Sequence, residues 1–151
     1  MVDRTPRPPT ASQTVGPFFH FALAERAAVG DMVGPDVPGE RLSVRVSVSD
    51  GDGLPVSDAL IELYQADAQG HYASGDVRRA FAGFGRLATD ANGTCVFRTI
   101  KPGRVPDHRG GAQAPHVNVC VMARGLMSHL FTRMYFAGDP ANDDDAIFNE
   151  V

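Results

Sequence analysis

His116 and Asn118 are the first pair in this sequence whose types and spacing could do chemistry. In an extended chain, residues i and i+2 share a face, and a His-x-His strand uses that spacing to offer two nitrogens to one metal ion. Here the second position is an amide, a poor partner for imidazole around iron or zinc. The pair therefore reads either as a packed strand histidine or as one functional imidazole. Tyr72 closes the segment Gln69-Gly70-His71-Tyr72 after a turn, where a ring commonly serves as loop packing. Arg124 precedes Gly125 at a turn, from which a guanidinium fork can reach a carboxylate or an aromatic anion. Arg133 reads as a solvated or salt-bridged surface arginine. The five histidines, His20, His71, His108, His116 and His129, form no HxH, HxxxH or HExxH pattern. Cys95 and Cys120 lie in apolar runs with no CxxC pair, which fits buried, reduced thiols rather than a redox or zinc site. Gly83-Phe84-Gly85-Arg86 lacks the following helix that a dinucleotide site needs.

These residues must be positioned by strands. Leu42, Val44, Val46 and Val48 alternate with polar residues across Arg41–Ser49, the period of a half-buried strand. Further strands are expected at Ala59–Ala66, Gly85–Thr89, Thr94–Ile100, His116–Ala123 and Ser128–Phe136. Turns are expected at Asp50–Gly53 and Asp67–Gly70. Asn92-Gly93 is a hairpin signal between the third and fourth strands. Lys101–Ala114 reads as a Gly/Pro loop, and the acidic tail from Asp139 as the start of a short helix. The triplet Asp143-Asp144-Asp145 reads as a solvated face. Short strands cut by turns predict an all-β fold, an antiparallel β-sandwich, preceded by an extended N-terminal arm rich in Pro, Thr and Ser. The expected division is 1–40 for an arm and loop, which can be disordered or ordered by packing on a partner, and 41–151 for the sandwich.

The 151 residues fit one domain, and 43% hydrophobic content excludes disorder. Gly and Pro, 16 and 11 residues, argue against a long-helix protein. Net charge is −4, Lys101 is the only lysine, and the arginines are scattered, so neither nucleic acid nor an anionic membrane is an expected partner. No apolar run approaches the length of a membrane span, and MVDRTPRPPT lacks the apolar core of a secretory signal. A cytoplasmic location is expected.

Several segments, taken in order, carry a resemblance. They are Ser12–His20 (SQTVGPFFH), Glu62–Tyr72 (ELYQADAQGHY), Phe84-Gly85-Arg86, Phe97–Gly103 (FRTIKPG), Ala114–Val119 (APHVNV) and Met134-Tyr135-Phe136. Together they resemble the intradiol ring-cleavage dioxygenases, and within that family the non-iron (alpha) chains of two-subunit members. The resemblance implies a β-sandwich and a non-haem Fe(III) centre held by two tyrosines and two histidines. A catecholic substrate such as protocatechuate binds there, and dioxygen cleaves the ring between its hydroxyl-bearing carbons to give 3-carboxy-cis,cis-muconate. Hard anionic phenolates suit the ferric ion.

Carried over residue by residue, Tyr72 matches the first ligand tyrosine and His116 the first ligand histidine. Val105 stands where the second tyrosine is expected, and Asn118 where the second histidine is. Valine cannot ligate, so the resemblance implies a vestigial site here, Fe(III) held by a partner beta subunit, and a hetero-oligomer of alpha/beta units. This chain would add Thr14, Gly16, Pro17, Phe18 and Arg124 to the partner's substrate pocket, Arg124 supplying positive charge. Phe18 replaces the tyrosine usual after that Gly-Pro and lacks its hydroxyl. The chain is also short of the closing strands expected of such subunits. Two other readings stand beside this one: a self-sufficient iron dioxygenase, which Val105 and Asn118 oppose, and a non-catalytic β-sandwich binding or structural module derived from the family.

Overall fold

A computed structural model describes residues 20–73, 81–107 and 110–150, with side chains from residue 22 onward. Its strands are β1 (Arg41–Ser47), β2 (Leu60–Gln65), β3 (Phe84–Ala88), β4 (Thr94–Ile100), β5 (Val105–Pro106), β6 (Ala112–Gln113), β7 (His116–Met122) and β8 (Leu130–Tyr135). One sheet has the order β3-β2-β7-β8 and another pairs β1 with β4, every neighbour antiparallel. A short hairpin, β5-β6, stands apart. Short helical turns occupy His20–Glu25, Pro140–Asp144 and Phe148–Glu150. No helix among the described residues is long and apolar enough to cross a membrane.

The two main sheets face each other through their alternate residues. Val44, Cys95 and Phe97 from β1 and β4 meet Ile61, Leu63, Val117 and Val119 from β2 and β7. Phe97 and Ile61 are fully buried, each contributing about 1.5–3 kcal/mol by removal from water. A polar tie joins the layers: Gln65 Nε2 donates to Ile100 O at 2.9 Å, and Thr99 Oγ1 donates to Gln65 Oε1 at 2.9 Å. With Val117 and Val119 facing inward, the two-residue period turns His116 and Asn118 to the opposite face of the sheet.

The segment before β1 is part of this body. Val29 bridges Arg86, Asp31 bridges Arg98 and Val33 bridges Phe81. Met32 is buried in the main core cluster. Residues 29–37, grouped with the arm by composition, therefore pack on the chain's own sandwich.

Among the described residues, one turn recurs four times. In Asp50–Leu54, Asp67–His71, Asp90–Thr94 and Asp107–Gly111, the aspartate N–H donates to the carbonyl four residues on, and the glycine three residues on donates back to the aspartate carbonyl. In the first three, Oδ1 of the aspartate also accepts two backbone N–H bonds. The fourth residue is always a glycine at positive φ: Gly53 (80°), Gly70 (84°), Gly93 (70°) and Gly110 (87°). The expected turns at Asp50 and Asp67 are present. The hairpin expected at Asn92-Gly93 is not, because β3 pairs with β2 while β4 pairs with β1. An Asn-Gly hairpin turn needs positive φ at both central residues, and here only Gly93 has it. The Gly93 carbonyl instead accepts from Val48 N at 2.8 Å, anchoring the turn beside β1. The loop expected at 101–114 contains β5 and β6, two residues each and too short to leave a period in the sequence.

Candidate functional site

Tyr72, His116 and Asn118 meet on the outer face of the four-stranded sheet. β2 ends at Gln65, and the Asp67–His71 turn returns the chain so that Tyr72 lies over Tyr64, ring centroids 4.9 Å apart and nearly parallel. The turn is packed closely. A Cβ on Gly70 would overlap the carbonyl oxygen of Arg104, so only glycine lets the segment 101–105 that leads into β5 run alongside. The Tyr72 hydroxyl lies 3.1 Å from His116 Nε2 and accepts from Asn118 Nδ2 at 2.9 Å. Asn118 Nδ2 also donates to Tyr64 O at 3.1 Å.

His116 is 1% exposed. Burial pushes its imidazole below the ordinary histidine range, and the Arg133 charge adds to this, against opposing effects of the Ala114 bond and Asp145. The ring is therefore neutral near pH 7. Its Nδ1 lies 2.8 Å from Ala114 O, which can only accept, so Nδ1 carries the proton. Nε2 is left as an acceptor, and the Tyr72 hydroxyl donates to it. The Tyr72 hydroxyl, both His116 ring nitrogens and the Asn118 amide nitrogen are thus all engaged.

Asp145 supports this arrangement from the tail. Its Oδ2 accepts from Ala114 N at 2.7 Å, and its Oδ1 from Ile147 N at 2.8 Å and Phe148 N at 3.2 Å. Burial pushes this carboxyl up, but the three N–H donors and nearby His116 outweigh it and hold it below the usual carboxylate range. The acidic triplet is thus not a uniformly solvated face. Asp143 and Asp144 are exposed, whereas Asp145 is 1% exposed.

The cluster does not fit a ferric ion. Tyr72 and His116 are ligand-capable, but their donor atoms are joined to each other by a hydrogen bond, and Asn118 turns its N–H donor, not a lone pair, toward Tyr72. Val105 lies in β5, and its backbone nitrogen would be 3.6 Å from a Cβ on Gly70. It brings no donor atom. No group of three or more His, Cys, Asp or Glu side chains among the described residues could hold a metal.

Arg124 lies elsewhere. It follows β7 at the opposite end from His116, eight residues on, or about 26 Å at strand rise. It is exposed, with Nε 3.6 Å from Asp58 Oδ1, and Asp58 is the one non-glycine residue at positive φ (64°) among the described residues. The structure therefore does not bring Arg124 to the Tyr72 cluster. Thr14, Gly16, Pro17 and Phe18 lie outside the described residues.

Arg133 and Tyr135 do belong near the cluster. β8 pairs with β7 so that Arg133 stands opposite Asn118 and Tyr135 opposite His116. With Phe131, Ile147 and Phe148 they line a groove of about 730 Å³ beside Asn118. Taken alone, the sequence marks Arg133 as a surface arginine. The signal that could have found it is the two-residue period, which turns Phe131, Arg133 and Tyr135 to one face.

Residues 15–150 match the Dioxygenase family profile. With its antiparallel sandwich and Tyr72/His116 cluster, the chain belongs to the intradiol ring-cleavage dioxygenase family, whose members use non-haem iron. Among characterised relatives it is 40% identical to the protocatechuate 3,4-dioxygenase alpha chain of Pseudomonas putida, over 94% of this chain and 73% of that one. It is 34% identical to the beta chain of the Burkholderia cepacia enzyme, over 93% of this chain and 61% of that one. Among solved structures, the dioxygenase domain of a carbohydrate-binding fusion from Streptomyces sp. SirexAA-E superposes with a TM-score of 0.68 at 33% identity, covering 80% of this chain and 72% of that one.

Proposed function

We propose that this chain is the non-iron, alpha-type subunit of a protocatechuate 3,4-dioxygenase. It works with a beta subunit that holds Fe(III) and cleaves protocatechuate between its hydroxyl-bearing carbons to 3-carboxy-cis,cis-muconate, with dioxygen as co-substrate. The observation that carries this reading is the filled cluster. In a chain 40% identical to alpha chains, the Tyr72 oxygen is occupied by His116 and by the Asn118 amide, and Val105 adds no ligand. The chain's own contribution is then positional. The arm of residues 1–40, rooted on the sandwich at 29–37, carries Thr14, Gly16, Pro17 and Phe18 to the wall of the partner's pocket. Arg124, exposed at the β7–β8 turn, faces outward to a partner and supplies positive charge for an aromatic anion.

The test is co-expression with a homologous beta chain that bears both tyrosines and the His-x-His strand. The lone chain is expected to be colourless and inactive. The purified complex is expected to show the visible colour of tyrosinate bound to Fe(III), and to consume protocatechuate and dioxygen in equal amounts. Stoichiometric coloured iron on the lone chain would overturn the proposal. If no beta chain co-purifies and no activity appears, the binding-module reading replaces it.

A further inference from the structure

Asn92 and Gly93 form the only Asn-Gly step in the sequence. Such a step can react without an enzyme. The glycine amide nitrogen can close a five-membered ring onto the asparagine side chain, and glycine has no Cβ to obstruct it. Asn118, Asn142 and Asn149 are followed by Val119, Asp143 and Glu150, whose side chains crowd that attack. In the equivalent turns that reach Gly53 and Gly70, the preceding residue is Asp52 or Gln69. Only Asn92 combines the short side chain with an amide leaving group.

The fold opposes this chemistry at the atom that would start it. Asn92 is exposed and its side-chain amide has no hydrogen bond among the described residues, whereas Gly93 is buried. The Gly93 nitrogen, the attacking atom, donates its hydrogen to Asp90 O at 2.9 Å. To attack it must shed that proton, so this bond has to break. Asp90 Oδ1 accepts from Asn92 N and Thr94 N, each at 2.9 Å. The carboxylate thus stands beside an amide that must become an anion, and a neighbouring like charge disfavours that ionisation. The Gly93 carbonyl accepts from Val48 N at 2.8 Å. A Cβ built on Gly93 would lie 2.5 Å from Val48 O and 3.1 Å from Pro55 Cβ. The peptide between residues 92 and 93 therefore has little room to turn toward the side chain.

We propose that Asn92 is a deamidation site governed by folding: the Asp90–Thr94 turn blocks ring closure in the native chain, and unfolding releases it. In the reaction the Gly93 nitrogen bonds to Asn92 Cγ and its proton passes to solvent. The bond from Cγ to the side-chain nitrogen breaks, and that nitrogen leaves as ammonia. One water then opens the cyclic imide, giving aspartate by attack at the side-chain carbonyl or isoaspartate by attack at the backbone carbonyl. The sum is water taken up and ammonia released, with no oxidation or reduction. Isoaspartate adds a carbon to the main chain, so the turn can no longer close on both Asp90 and Val48. A chain modified while unfolded thus refolds without the anchor beside β1. None of this needs iron or a partner subunit.

The experiment holds the full chain at pH 8, folded in buffer or unfolded in guanidinium chloride, and follows each asparagine by peptide mass spectrometry with isoaspartate resolved by chromatography. In the unfolded chain Asn92 is expected to convert at least ten-fold faster than Asn118, Asn142 or Asn149. In the folded chain its conversion is expected to be at least ten-fold slower than in the unfolded one. Asp90→Ala, which removes the carboxylate, should raise the folded rate several-fold. The proposal is overturned if folded and unfolded chains convert Asn92 equally fast, or if the other asparagines keep pace with it in guanidinium chloride. Equal folded rates in wild type and a folded Asp90→Ala chain overturn it as well. Should Asp90→Ala not fold, the folded-to-unfolded ratio on the wild-type chain decides alone.

Discussion

The repeated Asp-x-x-Gly turn permits a measurement in which one cost is subtracted from another. Gly53, Gly93 and Gly70 hold the same position in the same turn at φ of 80°, 70° and 84°. Alanine at any of them meets the left-handed penalty of about 1–2 kcal/mol, offset by about 0.4–1 kcal/mol from the stiffer unfolded chain. Their surroundings differ. A Cβ on Gly53 meets nothing within 4 Å. On Gly93 it falls 2.5 Å from Val48 O, about 0.8 Å inside a normal carbon–oxygen contact. On Gly70 it overlaps Arg104 O and lies 2.9 Å from the carbonyl carbon behind it. Neither backbone neighbour can swing away as a side chain would, so overpacking adds about 1–3 kcal/mol. Gly53→Ala should therefore cost about 1 kcal/mol, Gly70→Ala about 2–4 kcal/mol, and Gly93→Ala an intermediate amount. In urea this separates the Gly70→Ala midpoint from wild type by roughly 1–2 M, at a slope of about 2 kcal/mol/M. Because the chain has no tryptophan, far-UV circular dichroism is the suitable probe. Equal midpoints for Gly53→Ala and Gly70→Ala would refute the claim that the Tyr72-bearing turn is pinned against residues 101–105.

Three further outcomes are expected. The His116 imidazole is held below its ordinary 6.5 by burial, so between that lowered value and 6.5 the folded state binds fewer protons than the unfolded one. Its contribution to stability is full above pH 6.5 and lost as pH falls through the folded value, whereas the depressed carboxylates Asp139 and Asp145 act only at lower pH, below about 3.8. Urea midpoints should accordingly decline from pH 7.5 to 5.5 in wild type and stay flatter in His116→Gln; equal slopes would remove His116 from the account. Burial, with the Asp90 charge, pushes the Cys95 thiol up to about 11, and burial raises Cys120 as well. Both thiols should resist a disulfide reagent at pH 8 in the native chain and react once it is unfolded, and rapid native labelling would contradict this. In an active alpha/beta complex, Arg124→Ala should raise KM for protocatechuate about ten-fold while the iron colour persists. Loss of that colour would give Arg124 a structural role instead.

Much of the sandwich can be read from the sequence, because alternation reports directly on which residues face a core. β1 and β4 begin where the period begins, and β2, β7 and β8 fall within the expected runs. Pairing is less legible. The Asp90–Thr94 turn reverses the chain locally, but whether its flanks pair depends on what β1 and β2 offer them, which no local signal encodes. For the site, Tyr72, His116 and Asn118 were accessible through their types and the family resemblance, and the structure joins them. Arg133 and Asp145 were hidden for opposite reasons. Arg133 resembles any strand arginine until Asn118 is known to stand opposite it and Gln113 to accept its hydrogen bond. Asp145 stands in a row of three aspartates, and only its approach to Ala114, 31 residues earlier, distinguishes it from the other two.

That contact bears on the order in which the chain can acquire its final state during synthesis. Strands β2 and β7 can pair once residue 122 has emerged, which brings Tyr72 within reach of His116. The peptide that orients the imidazole stays unanchored until Asp145 arrives and accepts the Ala114 amide. At about 5–20 residues per second, the added delay is a few seconds at most. During it the tyrosine–histidine–asparagine cluster exists without its latch, open to rearrangement and to whatever anion or neighbouring chain reaches that face first.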